Sequence, residues 1–281
     1  MSRVAVMKLV NLATLLAVLG LNGLAATGAM SGDSIGVLAN RYESLFLPAN
    51  YVFGIWSLIY LGLTASVAYQ LLPTAAAARA VERIGPWWVV ASVLNVAWIS
   101  LFSFSRFGAA LLVMVAFLVA LVLTGARLRA PLAGDAPGLP GLPGLPGAPG
   151  ASGARPVRDG WAERVLVRWP FDLYLAWISV ALISNTFQFA HAIGWGGFGI
   201  AESTWAVAMM IVATVLGVVM AWGQRAWVFP LVVAWALRGI GVRHAGLPVI
   251  ATAVGWLVPL GIVAGAVAVI VRARSAVRTA S

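Results

Sequence analysis

Residues 87–126 read WWVVASVLNVAWISLFSFSRFGAALLVMVAFLVALVLTGA, 40 consecutive positions with one charge, Arg106. The run is long and does not alternate, so it reads as helix rather than strand. As one helix it would be about 60 Å long, roughly twice the hydrocarbon core of a bilayer. It therefore has to fold back on itself as two spans. Ser103, Ser105, Arg106 and Gly108 mark the turn: Arg106 belongs at a headgroup, and glycine permits a reversal.

Working outward from this hairpin, six further apolar runs have spanning length. The full set is Leu9–Met30, Tyr51–Leu72, Trp87–Ser105, Gly108–Arg127, Pro170–Ala192, Thr204–Trp222, Ala226–Ile240 and Leu247–Val271. Only helices and closed barrels satisfy the backbone in lipid, and these runs are helical. The expected fold is all-α, a polytopic transmembrane bundle of about eight spans. Ala226–Ile240 is the shortest run and carries Pro230 near its start, so either a short span or a partly re-entrant segment fits it. Composition agrees: 62% of the 281 residues are hydrophobic and 9% charged, against about 25% charged in soluble domains. Such a surface needs lipid as its solvent.

The formal net charge is +10, which would suit nucleic acid if it formed a basic face. It does not: the basic residues sit in the gaps between apolar runs, so no nucleic-acid partner is expected. With the N-terminus inside, the inner segments hold 14 of the 18 basic residues. The outer ones hold Arg41, Arg106, Arg238 and Arg243. This asymmetry is the positive-inside pattern and places both termini in the cytoplasm. A cleaved signal peptide is the other reading of the first run, with its small residues Ala25, Ala26 and Gly28, but the run is long for that role.

The one long inner loop, 128–168, carries a Pro/Gly-rich centre with glycine at 138, 141, 144, 147 and 150. The spacing is collagen-like. The tract is too short for cooperative triple-helix formation, so a disordered, polyproline-leaning linker is expected at 130–160. No cysteine is present and only two histidines, His191 and His244. Thiol chemistry is excluded, and a dedicated metal site is not expected.

The informative residues are polar or aromatic at membrane depth. Asn95 and Trp98 share one helix face; Trp177, Ala181 and Asn185, four apart, form a stripe on the fifth span; Trp56 and Tyr60 pair on the second. An asparagine in lipid is costly unless bonded, so Asn95 and Asn185 should face the interior. Two readings stay open: hydrogen-bonded glue between helices, or the polar points of an aromatic pocket for a planar apolar ligand. Of the 13 tryptophans, Trp87, Trp88, Trp169, Trp205, Trp222 and Trp227 fall at span ends, as an aromatic belt would. Trp56, Trp98 and Trp177 do not.

These residues carry a resemblance. The second span, Pro48-Ala-Asn-Tyr-Val-Phe-Gly-Ile-Trp-Ser-Leu-Ile-Tyr60, is similar to the Pro-Pro-x-Trp-x-Phe-x-Pro-x-Trp-Thr-x-x-Tyr entry of the TspO/MBR family, the tryptophan-rich sensory or translocator proteins. The third, Leu94-Asn-Val-Ala-Trp-Ile-Ser-Leu-Phe102, resembles Leu-Asn-x-x-Trp-Ser-x-x-Phe. The fifth, Pro170-Phe-Asp-Leu-Tyr-Leu-Ala-Trp-Ile-Ser-Val-Ala181 followed by Asn185, resembles Pro-Tyr-x-x-Trp-x-x-x-Ala-x-x-x-Asn. The departures are Ala49 and Tyr51 in the second span, which lacks the internal proline and is one residue short, and Asp172 in the fifth. Asp172 reads as interfacial and paired with Arg168, one turn earlier; a proton relay is the sharper alternative.

The resemblance covers residues 1–194 and implies a five-helix bundle, with 195–281 adding three spans and a basic tail. It implies a bacterial inner (plasma) membrane protein with a pocket opening toward the loop after the first span. Trp56, Tyr60, Asn95, Trp98, Trp177, Ala181 and Asn185 would line or support that pocket. Tetrapyrroles such as porphyrin, and other hydrophobic small molecules, are the implied ligands, with no obligatory cofactor and a sensory or regulatory role. A secondary transporter of a hydrophobic small molecule is the alternative. Paired carboxylates and a nucleophile–histidine pair are absent from the sequence, so no catalytic residues are assigned. Light-dependent porphyrin breakdown, ascribed to some members, needs none. His191 reads either as an interfacial histidine or as a haem ligand. Gly20, Gly28, Gly217, Gly261 and Gly265 would permit close helix contacts, including a homodimer.

Overall fold

The computed structural model of the chain describes residues 2–130, 160–224 and 226–278, with side chains described as far as Val271. The linker expected at 130–160 lies outside them apart from its end residues. Among the described residues the structure is helical, without strands. The elements are α1 (Arg3–Thr27), α2 (Ile35–Ala39), a 3-10 turn (Asn50–Gly54) running into α3 (Ile55–Leu71), α4 (Ala75–Ile84), α5 (Trp87–Ser103) and α6 (Phe107–Arg129). After the linker come α7 (Trp161–Glu163), a π-helical turn (Arg164–Arg168) leading into α8 (Trp169–Ala192), α9 (Glu202–Gln224), α10 (Val228–Arg243) and α11 (Pro248–Arg278).

All eight apolar runs are helices. Six have the length and apolarity to span alone: α1, the segment Asn50–Leu71, α6, Trp161–Ala192, α9 and α11. The 17 residues of α5 reach that criterion together with α4, across a 57° bend. At 16 residues, α10 is about 24 Å long, short of a ~30 Å core. It is one continuous helix, because Pro230 sits in its first turn, where no intrahelical N–H bond is lost. The chain is an integral membrane protein whose outward helix faces meet lipid.

The fold-back inside 87–126 occurs as expected, but by different means. Ser105 adopts the left-handed conformation, φ 57°, and donor Arg41 holds its Oγ at 2.6 Å. Gly108 lies within α6, where a Cβ would meet the Phe189 ring at 2.9 Å. Its role is close packing of α6 on α8.

At the centre lies α8, buried continuously from Pro170 to Val180 and packed on α3, α6, α9 and α10. Buried amides knit the first helices together: Asn11 donates to Gln70 Oε1 at 2.7 Å, and Asn22 to Asn95 Oδ1 at 2.7 Å. Trp88, expected in an aromatic belt, is instead buried; its indole N–H bonds to Thr14 Oγ1 at 2.8 Å and to Asn11 O at 3.1 Å. The partner found for Asp172 is Arg129 on α6, with the charge of Arg168 also close enough to act on it. Arg129 further donates to Gln224 O at 2.8 Å. This buried pair joins the ends of α6, α8 and α9.

The last three helices pack on one another, and α10 carries them onto the bundle through α8 and the 50–54 turn. A Cβ on Gly239 would overlap Val52, so only glycine allows that approach. Gly239 O accepts from Ala49 N at 3.1 Å, and Trp235 Nε1 donates to Val52 O at 3.2 Å. Two of the small residues open to dimer contacts are occupied within the chain, because Gly217 and Gly265 both receive Pro230.

Candidate functional site

The second, third and fifth predicted spans meet around one cavity. Trp56 on α3 stacks on Trp98 of α5, with ring centroids 6.0 Å apart and planes at 21°. Trp177 on α8 meets Trp56 edge-on at 6.2 Å and 85°. Tyr60 stacks behind Trp56 at 5.4 Å, one turn along the helix. Three indoles from three helices thus form two parallel walls and a perpendicular one, the offset and edge-to-face arrangements that aromatic quadrupoles favour.

The polar groups are placed by the same helix periodicity. Trp98 Nε1 donates to Asn185 Oδ1 at 3.3 Å, and Asn185 Nδ2 donates back to Ala181 O at 3.0 Å. Asn185 is therefore oriented, with its acceptor on the tryptophan. The Asn95 acceptor is engaged by Asn22, while its Nδ2 has no hydrogen-bond partner among the described residues. Trp177 Nε1 is likewise buried without one, and Tyr174 Oη, buried beside Asn95, has no hydrogen bond of good geometry. The same set of residues thus ties helices together and surrounds a cavity.

The cavity measures about 70 Å³. Trp56, Trp98, Trp177, Ala181 and Asn185 line it. Tyr60 and Asn95 do not reach it; Tyr60 supports Trp56 and Asn95 ties α5 to α1. The sequence reading omitted Gln188 and Phe53, which also line it. Both had a signal, since Gln188 continues the Trp177–Ala181–Asn185 stripe by three residues and Phe53 precedes Trp56 by three. Ile35, Gly36 and Ala39, from the connection between α1 and α3, close one end. Gln188 Nε2 holds this cap by donating to Ala39 O at 2.8 Å. The connection is fastened elsewhere by Arg243 to Asn40 at 2.6 Å and by Leu45 N to Glu202 Oε1 at 2.8 Å.

His191 lies outside this cavity. Its Nε2 is 3.1 Å from Glu202 Oε1. Among the described residues no group of three or more histidine or acidic side chains gathers to hold a metal.

Fold and site together define a polytopic α-helical membrane protein with an aromatic interior cavity beneath a loop cap. The family model described as TSPO-like protein matches residues 8–270, and the chain belongs to that family. The match takes in α9–α11 as well as the first five spans. It brings a membrane ligand-binding or sensory role in general terms. No curated protein and no solved structure matches the chain.

Proposed function

We propose that the chain binds a planar apolar ligand, a tetrapyrrole in the leading case, between Trp56, Trp98 and Trp177, and that it serves a sensory or regulatory role. The observation that carries this reading is the set of three indoles around one cavity, with the Trp177 N–H buried and unpartnered. A buried donor without an acceptor costs about 1–3 kcal/mol, and a ligand oxygen or ring nitrogen would remove that cost. In this reading residues 1–194 form the binding unit and 195–281 buttress it through α10.

Size adds a condition. Ligand pockets run to about 300–1,000 Å³, so a 70 Å³ cavity is the closed state. Lifting the 35–39 cap breaks the Gln188 bonds and opens the space between the indoles toward the connection. The test is a tryptophan-quenching titration with protoporphyrin IX on wild type, Trp177→Phe and Gln188→Leu. Saturable quenching that weakens in Trp177→Phe and reaches equilibrium faster in Gln188→Leu supports the reading. Quenching that is absent, or unaltered in both variants, overturns it.

A further inference from the structure

A second and larger cavity lies between the end of α8 and the start of α9, outside the indole site. Its volume is about 430 Å³, within the range for small-molecule sites. Its walls are apolar and aromatic, chiefly Ile183, Phe187, Trp195, Trp205 and Met209. One end is polar, where His191 Nε2 and Glu202 Oε1 lie 3.1 Å apart, each side chain 35% exposed. Glu202 is held in place, since the same oxygen accepts from Leu45 N at 2.8 Å. The hydrogen bonds and ion pair of Glu202 all fall on Oε1, with the His244 ring near enough to feel its charge, and no lysine or arginine lines the cavity.

The loop behind this cavity is set in an uncommon conformation. Gly194, Gly197 and Gly199 have positive φ, and so does Phe198, at 56°. A non-glycine residue there is strained, and such strain persists only where the surroundings enforce it. Here Trp205 Nε1 donates to Gly197 O at 3.1 Å, and Trp195 packs on both Trp205 and Phe198, with centroids 5.6 and 5.3 Å apart. The wall is therefore fixed before any ligand arrives, which lowers the ordering cost of binding.

We propose that this cavity binds an amphipathic molecule with a protonated amine, its apolar body against Trp195, Trp205 and Phe187 and its ammonium on the Glu202 carboxylate. A carboxylate with one oxygen open, at the mouth of an aromatic cavity that no lysine or arginine lines, selects a cation. The ring faces favour one as well, and an anionic headgroup finds no lysine or arginine there. The amine belongs either to a free amphiphile or to an amino-lipid headgroup. The site is built with α9, one of the helices beyond the first five spans, and is independent of the tetrapyrrole reading.

The experiment uses the full chain in phosphatidylcholine nanodiscs and three probes of one shape: 4-(1-pyrenyl)butylamine, the matching alcohol and the matching carboxylic acid. Energy transfer from tryptophan to pyrene reports binding. The amine should bind saturably and more tightly than the alcohol, and the acid most weakly. Glu202→Gln keeps the acceptor for Leu45 N and should weaken the amine about tenfold, as expected for losing a charge-assisted hydrogen bond, with the alcohol unchanged. Thr186→Phe, at an exposed position on the wall, should block both. Equal affinity for amine and alcohol, or an amine indifferent to Glu202→Gln, overturns recognition of the amine. Binding that survives Thr186→Phe overturns the location. Repeating the titration in phosphatidylethanolamine discs separates the two sources: competition supports a lipid amine, and unchanged affinity supports a free amphiphile.

Discussion

Trp98 and Asn185 join α5 to α8 through one hydrogen bond, 3.3 Å from indole nitrogen to amide oxygen, at the edge of the aromatic cavity. Because Trp98 is buried, the donor has no water to fall back on. Asn185→Leu should lower stability by about 1–3 kcal/mol, the cost of an unsatisfied buried donor. Asn185→Asp keeps an acceptor and should retain more of the fold. Thermal unfolding in detergent compares the two; equal midpoints for both variants would show that the bond contributes nothing.

Asp172 and Arg129 form a buried ion pair, with side chains 6% and 14% exposed; Arg83 and Glu163 form another, 3.1 Å apart. Breaking such a pair from one side costs about 3–5 kcal/mol, because the remaining charge is stranded. Arg129 keeps carbonyl partners at Gln224 and Gly125, which places Asp172→Ala at the low end of that range. The double variant Asp172→Ala, Arg129→Leu should recover part of the loss. The check is a double-mutant cycle on the unfolding midpoint. Recovery is the signature of the pair, and its absence would mean that Asp172 and Arg129 act on stability independently.

Gly239 touches no ligand position, yet it sets the seating of 48–52 just before Trp56. Gly239→Leu should push Val52 and Ala49 away and destabilise the fold by about 1–3 kcal/mol, as overpacking does. It should also weaken protoporphyrin IX quenching. A variant that loses stability but binds with wild-type affinity would uncouple α10 from the indole site.

The His244 ring follows α10, outside the spans, with Nε2 3.3 Å from Leu47 O. Partial burial, first, and nearby Arg243 hold its pKa below the ordinary value, against a smaller upward pull from the Leu47 carbonyl. A histidine lowered on folding is protonated more readily in the unfolded chain. Its contribution is therefore present above the unfolded value, about 6.5, and is lost as pH falls from there toward the folded value. The unfolding midpoint of wild type should drop between pH 7.5 and 5.5 by more than that of His244→Gln. Identical drops would remove His244 from the account.

The spans were legible because apolar length is a property of one helix at a time. The hairpin at Arg106, the eight runs and the Trp56, Trp98, Trp177 and Asn185 stripes follow from spacing alone. What escaped depends on how neighbouring helices are rotated. Trp88 reads as a belt residue until α1 brings Thr14 and Asn11 to its N–H. The partner expected for Asp172 one turn away gave precedence to Arg129, 43 residues earlier. The short cap α2 is apolar but only 5 residues long, and its position is fixed by Gln188 and, through Asn40, by Arg243, both from distant helices. The cavity beside Glu202 is invisible for the same reason: its walls come from two helices and a loop held at positive φ.

The contact between α10 and the start of α3 also orders events in time. Trp235 lies 183 residues after the Val52 carbonyl it holds. A ribosome delivering this chain inserts the indole-bearing helices long before the segment that seats them. The nascent bundle thus passes through a stage in which Ala49 N–H lacks the Gly239 carbonyl and Val52 C=O keeps only the Ile55 N–H of its own turn. The cavity reaches its final shape only when α10 is threaded in. Quality control that senses exposed backbone would meet the protein at that stage, and a stop codon before residue 228 would leave it there.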